Sequence, residues 1–435
     1  VLRSYEERSI GIDNAMDGIK LVYRPYKGIQ LQGIYGKQRF SLNSGKIIKG
    51  EGVVRGIDGE VDFAQMFPKM LEKKFQFSVG GSFVSKYQSG SHPQFILPKN
   101  VGSYAGRARF GYENFFIDAE YAHKENDPST DNAFIYNTGH GMIINTGYSM
   151  KGLGILFTMK SVDNMSFRSE RDRILTDLNV NFLPALSKNH SHNLAATLYP
   201  YTTQPLGEVA LQADVIYTVK KKTRFGGKYG MKINANFSMA YAPIQSMTGI
   251  DQGDSSRITY KGRLFDKSNK KYFQDFNINI TKKFTKKFKM GVTYYNLQLN
   301  NDVVNVTKHA KGIIVSHIAV ADLIYKFNYK HALRAELQLL FTERKVDQGH
   351  WFTGILEYTA SPNWFASVQV QWNFGNPGGV KKGQVYPIFG VGYIHNASRF
   401  TVSYGRNRAG LFCVGGVCRT VPAGSGLTFS FTHSF

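Results

Sequence analysis

The sequence predicts an all-β protein, a transmembrane antiparallel up-and-down β-barrel of about 20–22 strands, within outer bounds of about 16–26. Three observations carry that prediction. Much of the 435-residue chain falls into stretches where apolar and polar side chains alternate with a period of two, the spacing of a strand with one apolar face. The connections between these stretches alternate between tight turns and longer polar links. The composition fits as well: aromatics are 14 % of the chain, with 25 Tyr and 32 Phe, Gly contributes 44 residues, and only 42 % is hydrophobic. Mean hydropathy is −0.29, and no apolar run reaches the ~18 residues of a helical membrane span. A barrel needs only every second residue to face lipid, and belts of Tyr and Phe at its two interfaces would use the aromatics.

The elements are clearest at the C-terminus. From Gly424 to Phe435, Leu427, Phe429, Phe431 and Phe435 fall on one side of a strand, broken only by His433. Thr428, Ser430, Thr432 and Ser434 fall on the other. A strand that ends on Phe resembles the closing strand of bacterial outer-membrane barrels. The resemblance implies that Leu427, Phe429, Phe431 and Phe435 form the signal read by the barrel-assembly machinery during biogenesis. Reading backwards, Phe400, Val402 and Tyr404 alternate with Thr401, Ser403 and Gly405 in a stretch running to Cys413. Before it, Phe389, Val391 and Tyr393 alternate with Gly390 and Gly392, and Val368, Val370 and Trp372 with Gln369, Gln371 and Asn373. Leu333, Ala335, Leu337, Leu339 and Phe341 alternate with Arg334, Glu336 and Gln338.

Residues 161–204 hold two further alternating runs, Leu178, Val180 and Phe182 and then Leu194, Ala196 and Leu198, and the pattern reads both as strands. The count from Ile19 is then about 21. An odd count calls for at least one more strand, from the N-terminal stretch or from residues upstream. The chain opens on Val1-Leu2-Arg3-Ser4 without a signal peptide, so an exported protein would have lost its start. No repeat period interrupts the pattern, and residues 1–435 read as a single barrel.

Short connections fall at Lys27-Gly28, Glu113-Asn114, Lys151-Gly152, Thr285-Lys286, Asn328 to His331, Pro362-Asn363 and Asn396-Ala397. Longer ones run from Gln88 to Asn100, Glu125 to Thr138, Gln245 to Asn269, Asn301 to Lys311 and Gly375 to Gln384. Tight periplasmic turns and extended outer loops give this asymmetry, and a periplasmic C-terminus puts every short turn on that side.

The formal charge is +23, from 54 Lys plus Arg against 31 Asp plus Glu. The basic residues are scattered over strands and turns with no recognition helix, so nucleic acid is not an expected partner. Lysines concentrate at two turns, Lys220, Lys221 and Lys222 with Arg224, and Lys282, Lys283, Lys286 and Lys287. Anchoring to anionic headgroups accounts for them, and an acidic periplasmic partner is the sharper reading. The two-residue turn Glu113-Asn114 sets Arg109 opposite Asp118 and Arg107 opposite Glu120, a charge ladder on the lumen face that fixes register and could shape the field of a pore.

In Cys413-Val414-Gly415-Gly416-Val417-Cys418, the Gly-Gly pair suits a tight hairpin that faces Cys413 with Cys418, a geometry open to a disulfide. His190 and His192 lack a third ligand nearby and read as solvated turn residues. Glu125, Asn126, Asp127 and Asp131, like Asp251 and Asp254, read as surface loops rather than Ca²⁺ sites. No cofactor is expected. The spacing of Ser, His, Asn and Asp assembles neither a lipase nor a protease centre, so the chain is expected not to be an enzyme.

Leu2 to Ala15, Gly152-Leu153-Gly154 with Asp163 to Arg168, and Asn193 to Tyr201 resemble a family of Bacteroidota outer-membrane proteins catalogued as a domain of unknown function. The resemblance carries no site residues. It implies a non-enzymatic integral outer-membrane barrel, a structural or accessory subunit of a larger assembly for protein insertion, secretion or uptake. Its partners would be outer-membrane lipids and other outer-membrane or periplasmic proteins. A passive diffusion pore for small solutes is the alternative, and the small polar faces around Ser367 to Asn373 allow it. The lack of a plug-domain or energy-coupling motif argues against an active transporter.

Overall fold

The computed structural model describes residues 15–43, 46–174, 177–249, 259–304, 312–342, 349–375, 384–408, 410–414 and 417–433. The sheet opens with β1 (Met16–Tyr26), β2 (Ile29–Asn43), β3 (Lys46–Asp62) and β4 (Phe75–Tyr87), with the short helices α1 (Phe63–Met66) and α2 (Lys69–Glu72) between the last two. Then come β5 (Asn100–Tyr112), β6 (Phe115–Lys124), β7 (Gly139–Met150), β8 (Leu153–Asp163) and β9 (Gly207–Val219), with α3 (Asn193–Leu198) in the link from β8 to β9. β10 (Met231–Gly249), β11 (Thr259–Lys283) and β12 (Phe288–Asn300) precede α4 (Asn301–Val304), β13 (Ile313–Lys326), β14 (His331–Thr342) and β15 (Trp351–Ala360). β16 (Trp364–Asn373), β17 (Gln384–His395), β18 (Ser398–Asn407), β19 (Gly410–Val414), β20 (Val417–Val421) and β21 (Gly424–His433) complete the chain.

Each strand from β1 to β18 pairs antiparallel with the next, and β18 pairs with β21, giving one 19-stranded meander. Alternation builds it. In β16, Phe365, Ser367, Gln369, Gln371 and Asn373 are buried while Trp364, Val368 and Trp372 are exposed. Polar side chains therefore point inward and apolar ones outward, the inverse of a water-soluble sandwich. The turn end carries the two-residue turns 27–28, 113–114, 151–152 and 396–397, and the loop end carries 88–99, 125–138 and 164–206. β1 and β21 run in the same direction, and no pairing joins them among the described residues. Antiparallel closure between them takes an odd number of further strands.

Three expectations are corrected. Residues 161–204 do not supply two strands: β8 runs on to Asp163, and beyond it the described residues form only an isolated bridge between Arg168 and Asn179 and the helix α3. Leu178 and Val180 are buried, and so are Asn193, Leu194 and Ala195 in succession, so neither run has a face to give to lipid. The link expected from Gln245 to Asn269 is mostly strand, since β10 and β11 stay paired with Pro243 opposite Lys267 and Gln245 opposite Gly262. Strands that continue past the apolar belt into water need no alternation, which hid them in the sequence. Finally, the stretch from Phe400 to Cys413 is not one strand: β18 ends at Asn407, and β19 and β20 pair as a separate two-stranded sheet. No described helix is long and apolar enough to cross a membrane.

Candidate functional site inside the barrel

Residues 164–206 leave the loop end of β8 and fold back inside the sheet. On one arc of the wall, Gln38 of β2 donates to the Asn179 carbonyl (2.7 Å) and the Glu51 amide of β3 donates to Glu170 (2.5 Å). On the other, His190 Nε2 meets Asp275 of β11 (2.8 Å), His192 Nδ1 shares a hydrogen bond with the Tyr295 hydroxyl of β12 (2.5 Å), and the Leu194 amide donates to Gln338 of β14 (2.9 Å). Arg408, just beyond β18, donates to Thr197. One segment touching strands this far apart in the meander shows that the sheet curls around it.

Apolar packing and glycine seat it. Phe167 and Val180 join Ile34, Val54 and Val101 of the wall in one buried cluster. Leu186, Leu194, Ala195, Tyr199 and Tyr201 join a larger one with Phe273, Tyr295, Leu297 and Ile318. A side chain at Gly52 would run into the Ser169 carbonyl, and one at Gly139 into that of Asn164, so only glycine lets the segment lie this close to β3 and β7.

Buried ion pairs lock it further. Lys86 of β4 meets Asp127 of the 125–138 loop at 2.6 Å, with both side chains 1 % exposed, and Arg171 approaches the same carboxylate at 3.7 Å. Lys160 of β8 meets Glu208 of β9 at 2.8 Å, and its ammonium also donates to the Pro184 carbonyl and the Thr203 hydroxyl. Glu208 in turn accepts from Tyr201 (2.6 Å) and from the Gln204 amide (2.9 Å). Arg168 pairs with Asp131 at 3.3 Å, and Lys124 donates to the Ser166 carbonyl at 2.9 Å.

Asp127 and Asp131 are thus anchors of the internal segment, which corrects their reading as surface-loop residues. His190 is also not solvated: its side chain is 9 % exposed against Asp275. Burial holds the neighbouring His192 imidazole down at about 4. Among the described residues no group of three or more His, Cys, Asp or Glu is arranged to hold a metal ion. Asp251 and Asp254 lie outside the described residues.

The register sets Arg109 opposite Asp118 and Arg107 opposite Glu120. Arg109 and Asp118 pair at 2.6 Å, while the Arg107 guanidinium reaches across β4 to Asp58 and Glu60 of β3, at 2.7 Å each. A second charged cluster lies on another arc, where Arg334 of β14 meets Asp322 (3.1 Å), Glu357 (2.7 Å) and Glu336. Asp58, Lys86, Lys160 and Glu208 escaped the sequence reading. Their inward parity was the only signal, and a charge on the polar face of a strand is ordinary.

Lys220, Lys221, Lys222, Lys282, Lys283, Lys286 and Lys287 all lie at the turn end, where Lys282 donates to the Phe225 carbonyl (2.8 Å) and Lys283 sits over the Tyr229 ring. Leu427, Phe429 and Phe431 are exposed on β21, while Phe435 lies outside the described residues. The backbone register faces Cys413 with Cys418; their side chains lie outside the described residues.

The chain belongs to a family of unknown function, DUF6029, whose model matches residues 1–435. No curated protein matches it. Among solved structures it is similar to the siderophore receptor PirA from Pseudomonas aeruginosa, with 10 % identity, TM-score 0.40, and coverage of 94 % of this chain and 71 % of that one. It is also similar to OpdK with vanillate from Pseudomonas aeruginosa, at 10 % identity, TM-score 0.36, 93 % and 95 % coverage. A third is the ferric-catecholate import receptor Fiu from E. coli K12 in its open form, at 10 % identity, TM-score 0.30, 96 % and 78 % coverage. The likeness is loose at these scores.

Proposed function

We propose that this chain is an integral barrel of the bacterial outer membrane whose lumen is closed by its own segment 164–206, and that it serves as a structural or accessory subunit of a larger membrane assembly. One observation carries the closed reading: the segment spans the interior from β2 and β3 to β12 and β14, held by hydrogen bonds to both arcs and set among buried ion pairs. A chain anchored in this way does not leave the lumen for a passing solute, because its departure would part Arg168 from Asp131 and Arg171 from Asp127 and take from the buried Lys160 and Glu208 their hydrogen bonds to Pro184, Tyr201, Thr203 and Gln204. The membrane reading is supported by exposed Leu337, Leu339, Val368, Val391 and Val402 along the outer face. Exposed Tyr26, Tyr112, Tyr148, Tyr217, Tyr325 and Trp364 near the turn end have the character of an interfacial belt. The lysine-rich turns beside them suit anionic headgroups or an acidic periplasmic partner.

The diffusion pore keeps one supporting observation, cavities of about 460 and 480 Å³ beside the segment, each with charged lining. Single-channel recording in planar bilayers separates the two readings. The purified full chain is expected to be electrically silent and to co-purify with a defined set of partners in mild detergent. Large, steady openings of the unmodified protein would overturn the closed reading.

A further inference from the structure

We propose that the 460 Å³ cavity between the segment and the inner faces of β4 to β8 is a binding site for an uncharged, largely apolar small molecule that enters from the turn end. The inference rests on the closed-barrel reading, because the segment forms one side of the cavity. Its volume is that of a small-molecule site. Val84, Ala122 and Val162 line it on the wall side, and Met165, Phe182 and Leu183 on the segment side.

Two features set this stretch of wall apart. In β16 the inward positions Ser367, Gln369, Gln371 and Asn373 are polar, the ordinary pattern of a wet lumen, whereas around this cavity they are largely apolar. They are also small: Ala105, Ala122 and Gly141 stand opposite one another on β5, β6 and β7, and the wall is hollow where the segment passes it. Protein interiors leave few voids larger than a water molecule. Apolar surface on both sides of an open space therefore suits an occupant of like character.

The polar groups of the lining argue that the occupant is uncharged. Ser82 donates to Asp58 (2.5 Å), Ser103 to the His123 carbonyl (2.9 Å) and Asn181 to the Met165 carbonyl (2.7 Å). The Lys160 ammonium is met by Glu208, the Pro184 carbonyl and the Thr203 hydroxyl, one partner for each of its three protons. Donors committed in this way leave water few partners in the space and give a charged ligand nothing to replace its hydration. Glu120, the other charged residue of the lining, stands opposite Arg107. A second cavity of about 230 Å³ shares Glu120 and Ile143 with the first and is also lined by Ala108 and Arg109, nearer the turn at 113–114. That gives a ligand a way in that leaves the segment in place.

The test is equilibrium binding to the full chain in detergent, with uncharged 2-methoxynaphthalene, anionic 2-naphthoate and cationic 2-naphthylmethylammonium as probes. The uncharged probe is expected to bind saturably at one site, ahead of both charged analogues by more than about tenfold, and to slow hydrogen exchange over residues 177–184. Ala122→Phe puts a ring into the space and is expected to weaken binding about tenfold while the strands keep their exchange protection. Ala105→Phe, from the facing strand, is expected to do the same. No saturable binding, equal binding of the three probes, or an affinity unchanged in both variants would each overturn the proposal. Failure of the closed-barrel reading is a different result: steady conductance from the unmodified protein with no probe added.

Discussion

At the scale of single residues, charge is used inside this molecule to fix position. Lys86 and Asp127 are both almost fully enclosed, so removing one leaves the other buried without compensation. Asp127→Ala is expected to cost about 3–5 kcal/mol locally, read as faster hydrogen exchange over residues 164–174 while the strands of the far wall keep their protection. His192 gives a pH dependence with a definite sign. Docked, its imidazole is held at about 4; released into water it returns to about 6.5. The released state therefore takes up the proton first, and docking is fully stable above about pH 6.5 and weakens as the pH falls toward 4, by roughly 3 kcal/mol in all. Proteolytic protection of the segment across that range measures it, and His192→Gln is expected to flatten the profile. Arg109 and Asp118 could be paired from sequence because a two-residue turn fixes their register. Lys86 and Asp127 could not, because a long loop separates them and loop geometry has no period.

At the scale of elements, period two was a sound guide wherever one face met water and the other an apolar surround. It failed in residues 164–206, where runs such as Leu178 to Phe182 carry the same alternation but lie inside. There the apolar side chains pack on inward residues such as Val54 and Val101, and the polar ones bond to the backbone, as Asn181 does to the Met165 carbonyl. Alternation reports two different surroundings and does not say which one is lipid. The outer face can be tested directly. Leu337 lies in the middle of β14 and is 47 % exposed. Leu337→Arg is expected to cost about 2–4 kcal/mol when the protein is unfolded from lipid vesicles with urea. A change near zero would mean that this face meets water.

At the scale of the whole molecule, the proposed closed lumen makes the sheet a wall and its internal segment a stopper. Exchanging residues 172–204 for a short Gly/Ser link leaves Lys160 and Glu208 to pair with each other across β8 and β9. That variant is expected to open steady, ohmic conductance in planar bilayers where the unmodified chain gives none, and silence in both would place the barrier elsewhere. The parallel run of β1 and β21 bears on the complete wall: any antiparallel closure adds strands in an odd number, so the closed barrel has an even count.

By itself the sequence determined the all-β meander, the inward and outward faces of most strands, the separation of turn end from loop end, and the register of β5 on β6. All of these follow from local rules, the two-residue pleat and the length of a turn. Only the tertiary structure decided that residues 164–206 lie in the lumen, that Asp127, Lys160 and Glu208 anchor them, and that Ala122 shares a cavity with Phe182 and Leu183. These depend on which walls a closed sheet brings within reach of one another. Curvature summed over nineteen strands sets that, and no window of sequence contains it.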